Sequence, residues 1–446
     1  MTKPLDIATR DLVRRMYGDL AKHQGGNDIK NAYYDGTHAP VNVGLNVPPS
    51  MRENIPHIEW GGVVVDAIDE RIEFMGWQDS TTNLGLDEVF QANMLDVESG
   101  LAHLDALTFG VGFVKVAEGD VGEANPLVTV EPTMGTTGVW DHRVRRLSSA
   151  FTLEPAEGLW EPEKATLYLP DKTIYLVREA GRWVQDDVIE HGYHRVPVVQ
   201  VANRTSASMR LGHSEISLPV RDLVDEAARV ILAMAVNREF LSAPQRLVLG
   251  ASPGDIDSWK VMTGALWTIE ADEDGNVPEV KVIAQASPGP HIEQLKALAA
   301  QLATASGVPD WYFGVSPTAN PSSADAIRAS EVRLIKKAER RAKMFGRAWM
   351  EVATLAMLVK TGSIPEELSQ MSCLWGNPAT PTAAAQADEA SKLVGSGVLP
   401  ARSRVTYRRV GLSPAEQIEV EEDWAKNPST ADVLSSMADR HTTPTE

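Results

Sequence analysis

The chain has 446 residues, 43% apolar and 23% charged, which is the composition of a globular protein of about three domains. It carries 42 Lys and Arg against 61 Asp and Glu, a formal net charge of −19, so its average surface repels phosphate and a general DNA-wrapping role is excluded. The single cysteine, Cys373, cannot build an intrachain disulfide framework or a cysteine zinc cluster, and it fits a reducing compartment.

The first twenty residues lack the apolar segment of a secretory signal, and the longest apolar run, Val230 to Val236, is far short of the ~20 residues a bilayer span needs. No membrane partner is expected. Leu5, Ala8, Leu12, Met16 and Leu20 recur at helical spacing, which predicts a helix over 5–24 stopped by Gly25 and Gly26. A proline-punctuated loop follows. A helix is predicted over 58–74, with Val64, Ile68 and Ile72 on one face, and another over 85–110, ended by a glycine.

Between 110 and 204 the texture changes to short β-rich runs separated by Gly, Pro, Asp and Asn, with Arg178–Arg182 ("REAGR") as a hairpin turn. A long helix is predicted over 214–243, with Pro219 tolerated in its first turn. Residues 244–288 form a β-containing module in which 267–270 and 279–283 flank a hairpin turn, "DEDGN". A helix over 291–307, a loop over 308–321 and a helix from about Ser323 to Lys360 come next. The last would be ~57 Å long, far beyond the common helix. Residues 380–425 read as a small helical domain, and the last twenty or so as a mobile polar tail.

Motifs for chemistry are missing. The acidic turn Asp272–Asn276 lacks the glycine and glutamate positions of an EF-hand and reads as a solvated hairpin. The short "GVG" at 110–112 precedes a strand, the wrong order for a dinucleotide fingerprint, and no Walker sequence occurs. His191 and His194 have no third ligand at a recognisable spacing, and no nucleophile–base set is visible. Cys373, beside Leu374 and Trp375, reads as a small buried apolar side chain. No catalytic residue, metal or cofactor is assigned.

The densest positive charge lies on one helix. From Asp325 to Arg347 it holds Arg328, Arg333, Lys336, Lys337, Arg340, Arg341, Lys343 and Arg347 against Asp325, Glu331 and Glu339. Ile327, Leu334, Ala338, Phe345, Trp349 and Val352 form its apolar side. The cations read either as a face paired with acidic protein, in the same or another subunit, or as a phosphate contact. Ser322 or Ser323 can cap the helix and Asp325 suits its dipole. The loop before it, "GVSPTANPSS", carries no charge, as would suit a passage through which a charged polymer slides.

Several segments in order resemble tailed-bacteriophage portal proteins of the actinobacteriophage type: 51–77, 194–204, 212–250, 306–334 and, toward the C-terminus, "DEASKLVGSGVLP" and "GLSPAEQIE". The resemblance implies a portal-type α+β fold, mainly α, with long helices around a channel. It implies a wing over 1–215 with its β-rich insert at 110–204, a stem helix at 216–243, a clip at 244–288 and a second stem helix at 289–307. A tunnel loop at 308–322, a long wing helix at 323–361, a crown at 362–425 and a flexible tail at 426–446 complete it. The DNA-facing residues would be Gly314, Val315, Ser316, Pro317, Thr318, Ala319, Asn320, Pro321 and Ser322. Subunit or phosphate contacts would fall to Arg328, Arg333, Lys336, Lys337 and Arg340, and the clip hairpin to Asp272, Asp274, Gly275 and Asn276. Such a protein is no enzyme. Twelve copies form a ring at one capsid vertex of the virion, assembled in the host cytoplasm. Double-stranded DNA passes through it without sequence preference, and it meets terminase, major capsid or scaffolding protein and a head–tail adaptor. The other reading is an oligomeric virion scaffold or adaptor without a channel.

Overall fold

The computed structural model describes residues 2–40, 47, 51, 55–78, 84–154, 163–241, 245–249, 279–283, 287–314, 324–379, 383–412 and 414–427. They fall into two compact units, Met1–Pro378 and Ala379–Glu446.

In the larger unit, helix α1 (Ile7–Tyr34) starts at Asp6, whose carboxylate accepts the Thr9 N–H at 3.0 Å. It then runs straight through Gly25 and Gly26, contrary to the predicted stop. Two interior glycines cost about 1 kcal/mol each, but both ends of the helix are held. Val13, Met16 and Leu20 pack on a sheet, and Tyr33 enters the main core, donating to Asp225 at 2.8 Å. Helix α2 (Trp60–Asp69) crosses this C-terminal end at very short range. A Cβ on Gly61 would lie 2.3 Å from the Tyr33 carbonyl oxygen, so the "WGG" sequence is what admits the crossing.

The predicted 58–74 helix stops at Asp69, and β2 (Phe74–Gln78) follows. The predicted 85–110 helix is two, α3 (Leu86–Ala92) and α4 (Leu95–Phe109). The break falls at buried Asn93 and at Met94, which has a left-handed φ of 48°. Asn93 Nδ2 donates to the Val89 and Pro126 carbonyls while its Oδ1 accepts the Val128 N–H, so one amide ties the break to the next sheet.

The β-rich region is built as expected, with additions. Strands β3 (Val111–Ala117), β4 (Leu127–Glu131), β5 (Thr136–Asp141), β6 (Arg146–Glu154), β7 (Lys164–Tyr168), β8 (Lys172–Glu179), β9 (Arg182–Glu190) and β10 (Val198–Ala202) make two antiparallel sheets. One has the order β1-β9-β8-β7-β6-β5, with β1 being Lys3–Pro4, and the other the order β10-β3-β4. Ala180 and Gly181, both at positive φ, turn β8 into β9 as a two-residue hairpin, the turn predicted at "REAGR". Strands β1, β2 and β5 were not foreseen. Phe113 and Val198 of the small sheet pack against Leu147, Ala150 and Tyr168 of the large one, and α1 covers the other face of the large sheet.

Helix α5 (Leu218–Leu241) leads to β11 (Gln245–Leu249), which pairs antiparallel with β12 (Glu279–Ile283). The other proposed hairpin strand, 267–270, and the "DEDGN" turn lie outside the described residues. Helix α6 (Gly289–Ser306) and the 38-residue α7 (Ala324–Thr361) follow, and β13 (Ser372–Trp375) pairs with β2. Within α7, Leu334, Ala338, Phe345, Trp349 and Val352 are fully buried as predicted, whereas Ile327 is 38% exposed. The smaller unit contains α8 (Ala383–Gly395), α9 (Arg404–Val410) and α10 (Pro414–Lys426), with Arg404 of α9 forked onto Glu421 of α10 at 2.9 and 3.1 Å. Among the described residues no helix is long and apolar enough to cross a membrane.

The glycines give a paired test. Gly25→Ala and Gly26→Ala meet open space and should each raise unfolding free energy by about 0.5–1 kcal/mol. Gly61→Ala should lower it by about 2 kcal/mol or more, because backbone must move. Urea denaturation of the three variants measures both; a neutral Gly61→Ala would refute the close crossing.

Candidate functional site

The described residues on either side of the uncharged stretch 315–323 are firmly anchored. Helix α6 ends at Gly307, φ 79°, and Val308 is buried behind it. A 3-10 turn, Asp310–Phe313, follows and closes at Gly314, φ 71°. Phe313 is buried, its ring 5.6 Å from that of Trp60, and its carbonyl accepts the Trp60 indole N–H at 3.2 Å.

Across the gap, Arg71 holds both roots at once. Its Nη2 donates to the Tyr312 hydroxyl at 2.8 Å on the outgoing side and to Glu331 at 2.9 Å on the incoming helix. Its Nη1 donates to the Pro378 carbonyl at 2.9 Å. Arg71 and Glu331 are both nearly buried, and the planar guanidinium fork suits such multiple contacts better than a lysine would.

The cations of α7 divide by direction. Arg333 Nη1 donates to the Thr304 carbonyl at 2.9 Å, and Lys337 Nζ to the Ser306 carbonyl at 2.8 Å. Two positive side chains therefore satisfy the last carbonyls of α6, at the negative end of its dipole. Lys337 Nζ also lies 2.7 Å from Glu215 Oε2, and Arg341 donates through Nε and Nη2 to Glu215 Oε1 at 3.0 and 2.8 Å. Asn203 Nδ2 adds a bond to the same oxygen at 3.1 Å. The Glu215 side chain is 2% exposed. Burial alone would push its carboxyl up, but Lys337 and Arg341 outweigh that and bring it down to about 2. Burial pulls the Lys337 ammonium down from its ordinary value, with Glu215 opposing.

Of the residues singled out in the sequence, Gly314 lies at the outgoing root, and Val315–Ser322 lie outside the described residues, as do Asp272, Asp274, Gly275 and Asn276. Arg328, Arg333, Lys336 and Arg340 are exposed on α7, Lys336 being 2.7 Å from Glu339 one turn on. Lys337 is turned inward and engaged within its own chain. His191 stacks on Tyr193, and His194 Nδ1 is 2.6 Å from Asp171; among the described residues no group of three metal-ligating side chains forms. Cys373 is half-buried, its thiol donating to the Gly346 carbonyl at 3.2 Å and pushed up to about 12 by burial, as befits an inert side chain.

Sequence reasoning missed Glu215, Arg71 and the inward role of Arg341. A signal for Arg341 was present: it lies seven residues after Leu334 and four before Phe345, on the apolar stripe, where a cation needs a buried counter-ion. Its partner, 126 residues away, had none.

Removing the carboxylate in Glu215→Gln leaves two cations without their counter-ion and should cost about 3–5 kcal/mol, against less than about 0.5 for Lys336→Gln. The Glu215 contribution is complete above its unfolded value of 4.5 and is lost as pH falls from there toward about 2. Denaturation curves collected over that range should therefore show a slope in the parent chain that Glu215→Gln lacks.

A family model described as "Phage portal protein, SPP1 Gp6-like" matches residues 70–408. The portal protein of Mycobacterium phage L5 is 34% identical over 422 residues, 91% of this chain and 85% of its own. That of Mycobacterium phage D29 is 35% identical over 443 residues, 94% and 90% respectively. Among solved structures, the neck of an empty GTA particle, computed with C6 symmetry, overlaps 85% of this chain and 98% of its own at a TM-score of 0.48 and 16% identity. With the match spanning both loop roots, Glu215 and the long basic helix, the chain belongs to the phage portal protein family of the SPP1 Gp6-like type.

Proposed function

We propose that copies of this chain close into a ring, of twelve subunits in the virion, that forms the DNA channel at one capsid vertex. The ring serves genome packaging and ejection and performs no chemistry of its own. The observation that carries this reading is the loop 315–323: nine residues without a charge, with its two roots clamped by one arginine. A loop so held can touch a passing duplex without following it. A neutral surface neither binds the phosphates nor repels them strongly, whereas a basic one would retain DNA through counter-ion release.

In this reading residues 1–215 form the wing and 216–243 and 289–307 the two stem helices. Residues 308–322 are the tunnel loop, 323–361 the long wing helix and 362–425 the crown. The segment 244–288, which leaves and re-enters through the β11–β12 pair, is the clip that meets the terminase motor and later the head–tail adaptor. Capsid or scaffolding protein surrounds the wing. Assembly takes place in the host cytoplasm before the particle matures.

Native mass measurement and negative-stain imaging of the purified chain should give closed rings with a central opening. A monomer or dimer at every concentration would sink the reading, and rings without a lumen would favour a scaffold or adaptor. Thr318→Glu with Asn320→Glu should leave rings intact and cut packaged DNA by about tenfold or more, since added negative charge opposes the phosphates. Packaging at the parental level would take the loop out of the channel.

A further inference from the structure

A cleft of about 1110 Å³ opens between α7, the β5–β6 turn and the segment 364–371, within the larger unit. Six cations line it, Arg145, Arg146, Arg195, Arg210, Lys343 and Arg347, against the two acids Glu351 and Glu366, a local excess of 6 − 2 = +4 in a chain of −19. Arg195 is taken by Glu351 at 2.6 Å. Arg145, Arg210, Lys343 and Arg347 form no ion pair with a carboxylate among the described residues, although acids outnumber bases in the chain. Two further donors in the wall, Trp140 Nε1 and Arg210 Nε, are buried without an acceptor. Buried donors are ordinarily paired, so the cleft is chemically incomplete. What it lacks is acceptors with negative charge. The rest of the wall mixes Gln200, Thr205, Thr354 and Ser369 with apolar side chains, of which Val144 and Ile364 are exposed, 38% and 43%.

The same unit carries the opposite pattern elsewhere. From Ile72 to Val114 there is no Lys or Arg, while Glu73, Asp79, Asp87, Glu88, Asp96, Glu98 and Asp105 are all acidic. On the outer side of α4, Met94 and Val97 are each 64% exposed and Leu101 49%, one turn apart, and Asp96 and Glu98 flank them without an ion pair among the described residues. Three large apolar side chains in one stripe are unusual for a solvated helix. None of these residues lines the cleft.

We propose that the basic cleft of one subunit receives the acidic, apolar outer edge of α4 from a second copy of the chain. Asp96 and Glu98 meet Lys343 and Arg347, and Met94, Val97 and Leu101 cover Val144 and Ile364. The two surfaces are different patches of one chain, so the contact is heterologous and propagates head to tail until rotation closes it. The contact rests on the ring reading for that closure. A phosphodiester backbone would answer the cations but leave the exposed Val144 and Ile364 unmatched, so the occupant is protein rather than nucleic acid.

The test is charge reversal in the full chain, at four residues that form no ion pair among the described residues. Asp96→Lys with Glu98→Lys, and separately Lys343→Glu with Arg347→Glu, should each raise the subunit concentration needed for rings by about tenfold or more, because like charges then face each other. Circular dichroism should stay parental. Combining all four substitutions restores the opposite signs and should restore assembly. Rings at parental concentration in both double variants would overturn the contact while leaving the ring reading in place. A parent chain that never forms rings would overturn both. Intact rings with weakened, salt-dependent DNA retention only in Lys343→Glu with Arg347→Glu would assign the cleft to phosphate and overturn the proposal.

Discussion

Everything in the larger unit depends on carrying one long polar helix through an apolar core. From Leu334 to Leu358, α7 places an almost unbroken series of side chains in the main cluster, with contacts to α2, β3, β10 and β13. At its centre Trp349 stacks on Phe74, ring centroids 4.7 Å apart, and its indole N–H donates to His103 Nε2 at 2.8 Å. Its backbone carbonyl accepts the Trp77 indole at 3.0 Å. His103 is fully buried, and burial pulls its imidazole down to about 3, so it stays neutral and serves as an acceptor at Nε2. A protonated ring there would lose the Trp349 bond and hold an unpaired charge in the core.

That burial explains how the basic helix is used. A helix entering a core cannot carry cations on its inward side unless each finds a partner, and here they do. Arg341 and Lys337 share Glu215, and Lys337 and Arg333 reach the open carbonyls at the end of α6. The positive charge that looked foreign to an acidic chain is in good part internal wiring. It joins α7 to α6 and to the segment before α5, next to the place where the uncharged loop begins. Arg71 performs the corresponding task on the other side, so the described ends flanking 315–323 are fixed by charge-assisted hydrogen bonds. Of the cations that remain outward, Lys343 and Arg347 face the cleft.

Much of the fold is legible from local pattern. The strands between 111 and 202 announce themselves through β-branched runs broken by turn residues, and the Ala180–Gly181 hairpin by its glycine. Three elements hid because their causes are distant. Strand β2 looks like the end of a helix since its partner, β13, is nearly 300 residues further on. The α3–α4 break needs Asn93 to be claimed by Pro126 and Val128. Helix α1 survives Gly25 and Gly26 because packing at both ends outweighs their local cost.

The amino-acid sequence by itself determined the helices with a clear apolar stripe, the β-rich insert and, through several ordered segments, the portal family. These are properties of neighbouring residues or of segment order, and both can be read along a line. Only the tertiary structure decided which cations are internal, that Arg71 clamps both roots of the loop, and that Glu215 is the buried counter-ion of α7. Those depend on residues brought within 3 Å from more than 100 positions apart, and charge pairing leaves no periodic trace in the chain.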